Sequence, residues 1–182
     1  MSKAVIILAS PRKDGNSAAL ADQARRGFED AGGIAEAFYL NGMNIRPCQA
    51  CGHCQRHPEK GCILRDDMHL IYGALASADA LLLASPIYMF TMTAQLKLFS
   101  DRCYAVPDSI KGKRVGILLT YGDEDEFISG AVNAIAALRD EYRYKCAAIV
   151  GIVHGSAGEK GAIKANARVM DDAYALGRKL FA

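Results

Sequence analysis

Short apolar runs alternate with longer helical patterns along the whole chain, and few folds accept that order. Ala4-Val5-Ile6-Ile7-Leu8 is the first run of strand length. Ser17 to about Ala31 reads as an amphipathic helix closed by Gly32-Gly33. Ile34 to Leu40 predicts a second strand, Asp66 or Asp67 caps a helix to about Ser77, and Ala80 to Ala84 predicts a third strand. A loop over 85–92 leads into a helix from about Thr93 to Cys103. Val115 to Leu119 is the fourth strand, and Phe127 to about Asp140 is helical. Asp123 to Glu126 place negative charge at that helix's start. Cys146 to Val153 is the fifth strand, and Lys160 to Leu180 the closing helix. Strands separated by helices imply βαβ units, hence a parallel sheet covered on both faces. At 182 residues the chain suits one α/β domain, 1–182.

Composition narrows the partners. A net charge of +2, with basic residues scattered, gives no electrostatic case for nucleic acid or a membrane surface. No apolar stretch approaches membrane-spanning length, and the N-terminal apolar run is too short for a signal peptide. Six cysteines without such a leader predict a reducing, cytoplasmic location rather than a disulfide framework. Cys103 and Cys146 stand alone in apolar contexts and read as small buried hydrophobes.

Open α/β sheets bind ligands at the carboxyl ends of their strands. The first such end runs from Ala9 to Ser17. It has neither a dinucleotide G-x-G-x-x-G nor a G-x-x-x-x-G-K-[ST] loop. It does offer Ser10, Arg12, Lys13, Gly15, Asn16 and Ser17 just before a helix, where backbone N–H groups and the dipole face an anion. Arg12 can grip phosphate oxygens with its fork, and Asn16 and Ser17 can cap the helix or donate to phosphate. A polar turn with a good cap accounts for the local chemistry equally well; the position after a central strand favours phosphate. After the third strand, Pro86-Ile87-Tyr88-Met89-Phe90 offers a flat apolar surface for a ring system, or a plug over the sheet end. After the fourth strand, Tyr121 could flank a ring and Gly122 permits close approach, although a simple turn explains both.

Cys48, Cys51, Cys54 and Cys62 form a C-x2-C-x2-C-x7-C run, with Pro47, Pro58 and Gly61 opposing regular structure. Three thiolates on one tight loop plus a fourth after a longer excursion suit one four-iron cluster. There is no second set and no proline after Cys62, unlike two-cluster ferredoxins. Zinc could take the same thiolates, or exchange one for His53 or His57, but structural zinc usually uses two separated knuckles. Reduced thiols without metal are the third reading. Arg46 and Arg56 would favour thiolate or an anionic cluster, or are ordinary exposed charges.

The segment S-P-R-K-x-G-N-S, Ser10 to Ser17, resembles the phosphate loop of the flavodoxin-like FMN reductase superfamily. Ser85-Pro86-Ile87-Tyr88-Met89-Phe90 is similar to its S-P-x-Y loop, and Ala94-Gln95-Leu96-Lys97 with Asp101-Arg102 continues the match. The four cysteines followed by Asp66-Asp67-Met68 resemble the NAD(P)H-dependent superfamily's iron–sulfur flavoprotein branch. The resemblance implies a flavodoxin-like three-layer sandwich, with a five-stranded parallel sheet in order 2-1-3-4-5. It places a cysteine-rich insertion over about 44–66, after strand two. It implies FMN phosphate contacts from Ser10, Arg12, Asn16 and Ser17. Pro86, Ile87, Tyr88, Met89 and Phe90 would border the isoalloxazine or ribityl chain, with Tyr121 and Gly122 on the third loop. A [4Fe-4S] cluster would sit on Cys48, Cys51, Cys54 and Cys62.

The implied activity is electron transfer between NAD(P)H, or a reduced carrier, and a small acceptor such as a flavin or quinone. The flavin carries that chemistry, so no catalytic side chain is named. The alternatives are a non-enzymatic electron carrier serving a ferredoxin-like protein, and a zinc- or thiol-containing flavin-binding module. Relatives imply a homodimer or homotetramer, with the helix from about Thr93 to Arg102 as a candidate interface.

Overall fold

The computed structural model describes residues 1–181. Its main elements follow the alternation: β1 (Lys3–Leu8), α1 (Asn16–Asp30), β2 (Ile34–Tyr39), α2 (His53–Arg56), α3 (Met68–Ser77) and β3 (Ala80–Tyr88). β4 (Thr91–Met92), α4 (Ala94–Arg102), β5 (Arg114–Tyr121), α5 (Ala131–Tyr144), β6 (Ala148–Ser156) and α6 (Ala167–Phe181) complete them. Five strands run parallel in the order β2-β1-β3-β5-β6. The sheet has six strands rather than the expected five, because β4 pairs antiparallel with the end of β3. No helix among the described residues is long and apolar enough to cross a membrane.

The central strand divides the core. Leu81 and Leu83 of β3 face α3, α4 and α5, while Leu82 and Ala84 face α1 and α6. These leucines are fully buried, each worth roughly 1.5–3 kcal/mol. Leu96 and Phe99 of the candidate interface helix also lie in this core, whereas Leu98 is half-buried and Ala94 exposed. The α1–α6 layer depends on two glycines. A Cβ on Gly177 would stand 1.8 Å from the Ala24 carbonyl oxygen, and one on Gly27 would stand 2.1 Å from that of Tyr174. The helices therefore meet backbone to backbone.

Helix ends explain where the sequence reading misplaced boundaries. The fifth helix starts at Ala131 rather than Phe127, since Asp125 Oδ1 accepts from the Phe127 and Ile128 N–H groups at 2.8 Å each. Gly130 then turns the chain at φ 75°. The last helix starts at Ala167, after a 3-10 turn over Ala162–Ala165, and Asn166 caps it through Val169 N–H at 3.2 Å. Both α1 and α5 end in Schellman motifs. Gly33 N–H reaches Phe28 O and Gly32 N–H reaches Glu29 O; at α5, Ala147 N–H reaches Tyr142 O and Cys146 N–H reaches Arg143 O. Gly32 fills the left-handed position of the first motif; in the second that place belongs to Cys146, at φ 53°. Cys146 is therefore exposed, not the buried hydrophobe its sequence context implied. Cys103 is fully buried, and burial pushes its thiol up to about 12.

Glycine substitutions should thus act in opposite directions. Cys146→Gly removes a left-handed penalty of about 1 kcal/mol and should raise Tm by about 2–4 °C. Gly177→Ala should cost at least about 2 kcal/mol, because the clashing partner is backbone. Thermal and urea unfolding of the two variants checks both signs.

Candidate functional site

Three loops converge at the carboxyl edge of the sheet around a cavity of about 220 Å³. Ser10, Arg12 and Ser17 line it from the β1–α1 loop, Pro86, Ile87 and Tyr88 from the end of β3, and Tyr121 and Gly122 from the end of β5. Ser10 and Ser17 are buried. Ser10 Oγ accepts from Arg12 N–H at 3.0 Å, which folds the loop back on itself. Tyr39 OH donates to Pro11 O at 2.7 Å and fixes the loop to β2. No side chain caps α1, whose N-cap is Gly15. Its first N–H groups and dipole therefore face the cavity, as an anion site requires. Arg12 is exposed and makes no ion pair among the described residues.

Asn16 lines the cavity, but its amide does a different job from the phosphate contact the resemblance implies. Its Nδ2 donates to Ala157 O at 3.0 Å and Glu159 O at 2.9 Å, and its Oδ1 accepts from Gly161 N–H at 2.8 Å. The side chain clasps the loop after β6 against the start of α1. That loop brings Ala157, Gly158 and Lys160 to the same cavity, a fourth wall the sequence reading missed. Only the apolar strand before the loop was visible, and its far end carries no motif.

The loop expected over 85–92 is a β-hairpin. Tyr88 pairs with Thr91, leaving Met89 and Phe90 as a two-residue turn, both at positive φ (46° and 65°). That is type I′ geometry, normally filled by Asn-Gly. Met89 and Phe90 do not line the cavity; they stand at the tip, 87% and 59% exposed. The hairpin is braced on both sides. Asn133 Nδ2 donates to Phe90 O at 3.1 Å, and a Cβ on Gly130 would meet Phe90 at 2.6 Å. Thr93 caps α4 through Leu96 N–H at 3.3 Å, donates to Ala9 O at 2.9 Å, and offers its N–H to Ser85 Oγ at 3.2 Å. Strained non-glycine backbone held by its surroundings is a mark of functional edges.

Tyr121 is buried, and its hydroxyl lies 3.0 Å from His154 Nδ1. Burial first, then the charges of Glu126 and Asp125, push its phenol up, so it is a neutral hydroxyl near pH 7. His154 carried no sequence signal; strand register alone brings it to Tyr121.

The cysteines occupy a second cavity of about 1030 Å³, between residues 48–64, α4 and α5. Cys48, Cys51, Cys54 and Cys62 all line it. Cys48 and Cys51 are exposed, and Cys54 and Cys62 are half-buried. No three His, Cys, Asp or Glu side chains among the described residues converge as a single-ion site. Four thiols lining one roomy cavity are the donor set that thiolate-ligated clusters and zinc both use. Gln55 Nε2 lies 3.6 Å from Cys54 Sγ and donates to Tyr104 O at 2.8 Å. His53 and His57 pack against each other, ring centroids 4.9 Å apart and tilted by 43°.

A buried ion pair roots this segment. Arg102 Nη1 donates to Asp66 Oδ2 at 2.6 Å and Nη2 to Oδ1 at 3.0 Å; the side chains are 1% and 0% exposed. Arg102 Nη1 also reaches Arg46 O at 2.7 Å, and Asp66 Oδ2 accepts from Arg46 N–H at 3.0 Å. Asp67 sits at the N-cap of α3, yet its carboxylate accepts from Asn44 N–H at 2.7 Å. Both ends of the cysteine segment are thereby tied together and to α4. Burial opposes the charge on Asp66, but the Arg102 bonds and the Arg46 and Met68 N–H groups hold its carboxyl below the ordinary value.

Residues 2–178 match the model of the family described as NADPH-dependent FMN reductase. The chain belongs to that family. Its members are NAD(P)H-dependent flavin oxidoreductases, and three loops around an anion-ready helix end suit their cofactor. An iron-sulfur flavoprotein of Archaeoglobus fulgidus is 33% identical over 168 residues, 90% of this chain and 76% of that protein. The putative NAD(P)H-dependent FMN-containing oxidoreductase YwqN of Bacillus subtilis is 34% identical over 55% of this chain and 51% of its own length. Among solved structures, the NAD(P)H:quinone oxidoreductase of Methanothermobacter marburgensis has TM-score 0.74 at 21% identity, covering 100% of this chain and 98% of that one. It shares the fold.

Two outcomes follow for this FMN reductase family member. Asp66→Asn leaves Arg102 buried without its counter-charge and should cost about 3–5 kcal/mol at pH 7. The folded Asp66 pKa is depressed, so its contribution is complete above the ordinary value of 3.8 and is lost as pH falls through the lower folded value. Denaturation across pH should show a constant gap between wild type and variant down to about pH 4, narrowing below it. The double variant Met89→Asn/Phe90→Gly relieves two left-handed residues and should gain about 1–2 kcal/mol. It also removes the apolar tip, so it should melt higher and oxidise NADPH more slowly.

Proposed function

We propose that this chain moves electrons from NAD(P)H through FMN to a small acceptor, a flavin or quinone, and exchanges single electrons with one [4Fe-4S] cluster on Cys48, Cys51, Cys54 and Cys62. The observation that carries this reading is the β3–β4 hairpin. Ile87 lines the loop-edge cavity, its ladder partner Met92 lines the cysteine cavity, and paired strands lie about 4.8 Å apart. One strand pair thus forms the wall between the two sites.

Each residue has a defined task. The N–H groups opening α1, with Ser10, Ser17 and Arg12, hold the phosphate. Pro86, Ile87 and Tyr88 border the ring, and Gly122 lets it approach the backbone. Bound FMN supplies hydride acceptance and both one- and two-electron chemistry. Gln55 directs an N–H at Cys54 sulfur, and Arg102 places buried positive charge near Cys62. The Archaeoglobus relative, named an iron-sulfur flavoprotein, supports the cluster assignment. The chain would work in a reducing, cytoplasmic setting where these thiols stay reduced.

Anaerobic purification followed by absorption spectroscopy, metal analysis and NAD(P)H turnover with a quinone tests this. The expected result is one FMN and about four irons per chain, with flavin bands over a broad iron–sulfur shoulder. Each single Cys→Ser variant at 48, 51, 54 or 62 should lose iron and keep FMN. Zinc in place of iron, or no iron after reconstitution, overturns the cluster; no turnover with any nicotinamide overturns the electron route.

A further inference from the structure

We propose that Lys160 is a second phosphate ligand of the cradle, delivered by the loop after β6 and held ready by Asp14. Lys160 lines the same cavity as Ser10, Arg12 and Ser17, although it lies far along the chain from them. Its backbone is fixed there. The three Asn16 bonds clasp residues 157–161 to the start of α1, and Ala157 N–H donates to Tyr121 O at 2.7 Å. Lys160 Nζ meets Asp14 Oδ2 at 2.6 Å, with the two side chains 56% and 74% exposed. Exposed pairs of this kind contribute little, so Asp14 is a partner that a bound dianion can replace.

Charge balance gives the reason. A phosphate monoester carries about −1.5 to −2 near neutral pH. Arg12 and the end of one helix dipole leave it undercompensated, and Asp14 adds like charge at the rim. Lys160 neutralises Asp14 when the cradle is empty and the phosphate when it is filled. Lys164, near enough to favour the Asp14 carboxylate, adds further positive charge. This assignment rests on the FMN reading of the cradle. It adds a cation from the last βα loop to a site otherwise built on the first.

Fluorescence titration of apo-protein with FMN and riboflavin separates phosphate contacts from ring contacts. Lys160→Ala should weaken FMN about tenfold, one charge-assisted bond, and leave riboflavin within about twofold. Lys160→Arg should restore FMN affinity. Asp14→Asn, on an exposed side chain, should tighten FMN and leave riboflavin unchanged. The salt dependence of FMN binding should flatten in Lys160→Ala. Equal weakening of both ligands by Lys160→Ala would make the residue a support for the loop, and the proposal fails. An unchanged FMN affinity also defeats it. Failure of the wild type to bind FMN overturns the cofactor reading and this assignment with it, a result visible before any variant is made.

Discussion

The Arg102–Asp66 pair is the constraint on which the second site depends. Taking two charges out of water is costly, and a buried pair is often no more stable than apolar residues of the same volume. Here an apolar replacement could not do the work. The pair also satisfies the Arg46 carbonyl and the Arg46 and Met68 N–H groups, which border an irregular segment and have no strand or helix partner. The carboxylate and guanidinium therefore serve as a polar knot. They close a loop of more than twenty residues at its base, while Gln55 ties its tip to the Tyr104 carbonyl. Arg102 Nε remains buried without a partner, the one unsatisfied donor of the knot.

Arg102 closes α4, and Thr93 opens it. The same helix thus fixes the cysteine segment at one end and the β3–β4 hairpin at the other. The hairpin is held in a turn its residues disfavour by contacts from Asn133, Gly130 and the Ser85–Thr93 network. Two large apolar side chains in left-handed backbone, projecting beside a ligand edge, exchange stability for surface. An Asn-Gly turn would be easier to form and would leave no flat apolar tip.

Much of the loop edge was legible in the sequence because the βα arrangement makes it so. Once β1 and β3 are recognised as central strands, their carboxyl ends must lie together, and Ser10, Arg12, Pro86 and Tyr88 follow. What escaped depends on contacts distant in sequence or on exceptions to local preference. Met89-Phe90 lacks every turn signal, so a hairpin read as a loop. Asn16 reads as a phosphate donor in sequence; its bonds to residues more than 140 positions away appear only in the fold. The pattern predicts a helix through Lys160, since nothing local shows that Gly161, at φ 84°, breaks it. Cys146 sits where a glycine would have announced the end of α5. Nothing in the local sequence marks Gly27 and Gly177; their role shows only where α1 and α6 meet face to face.

The cysteine segment shows why spacing could raise the metal question without answering it. Apart from Met43, Ile45 and Cys62, which pack against the core, residues 43–63 contribute little to the interior. Among the described residues the four sulfurs line one cavity without a three-ligand focus. The polar knot holds both ends of the segment that carries them. The hairpin stands between the cysteine cavity and the loop-edge cavity, Met92 lining the first and Ile87 the second. The knot at its base and the hairpin wall together fix the cysteine segment beside the loop edge.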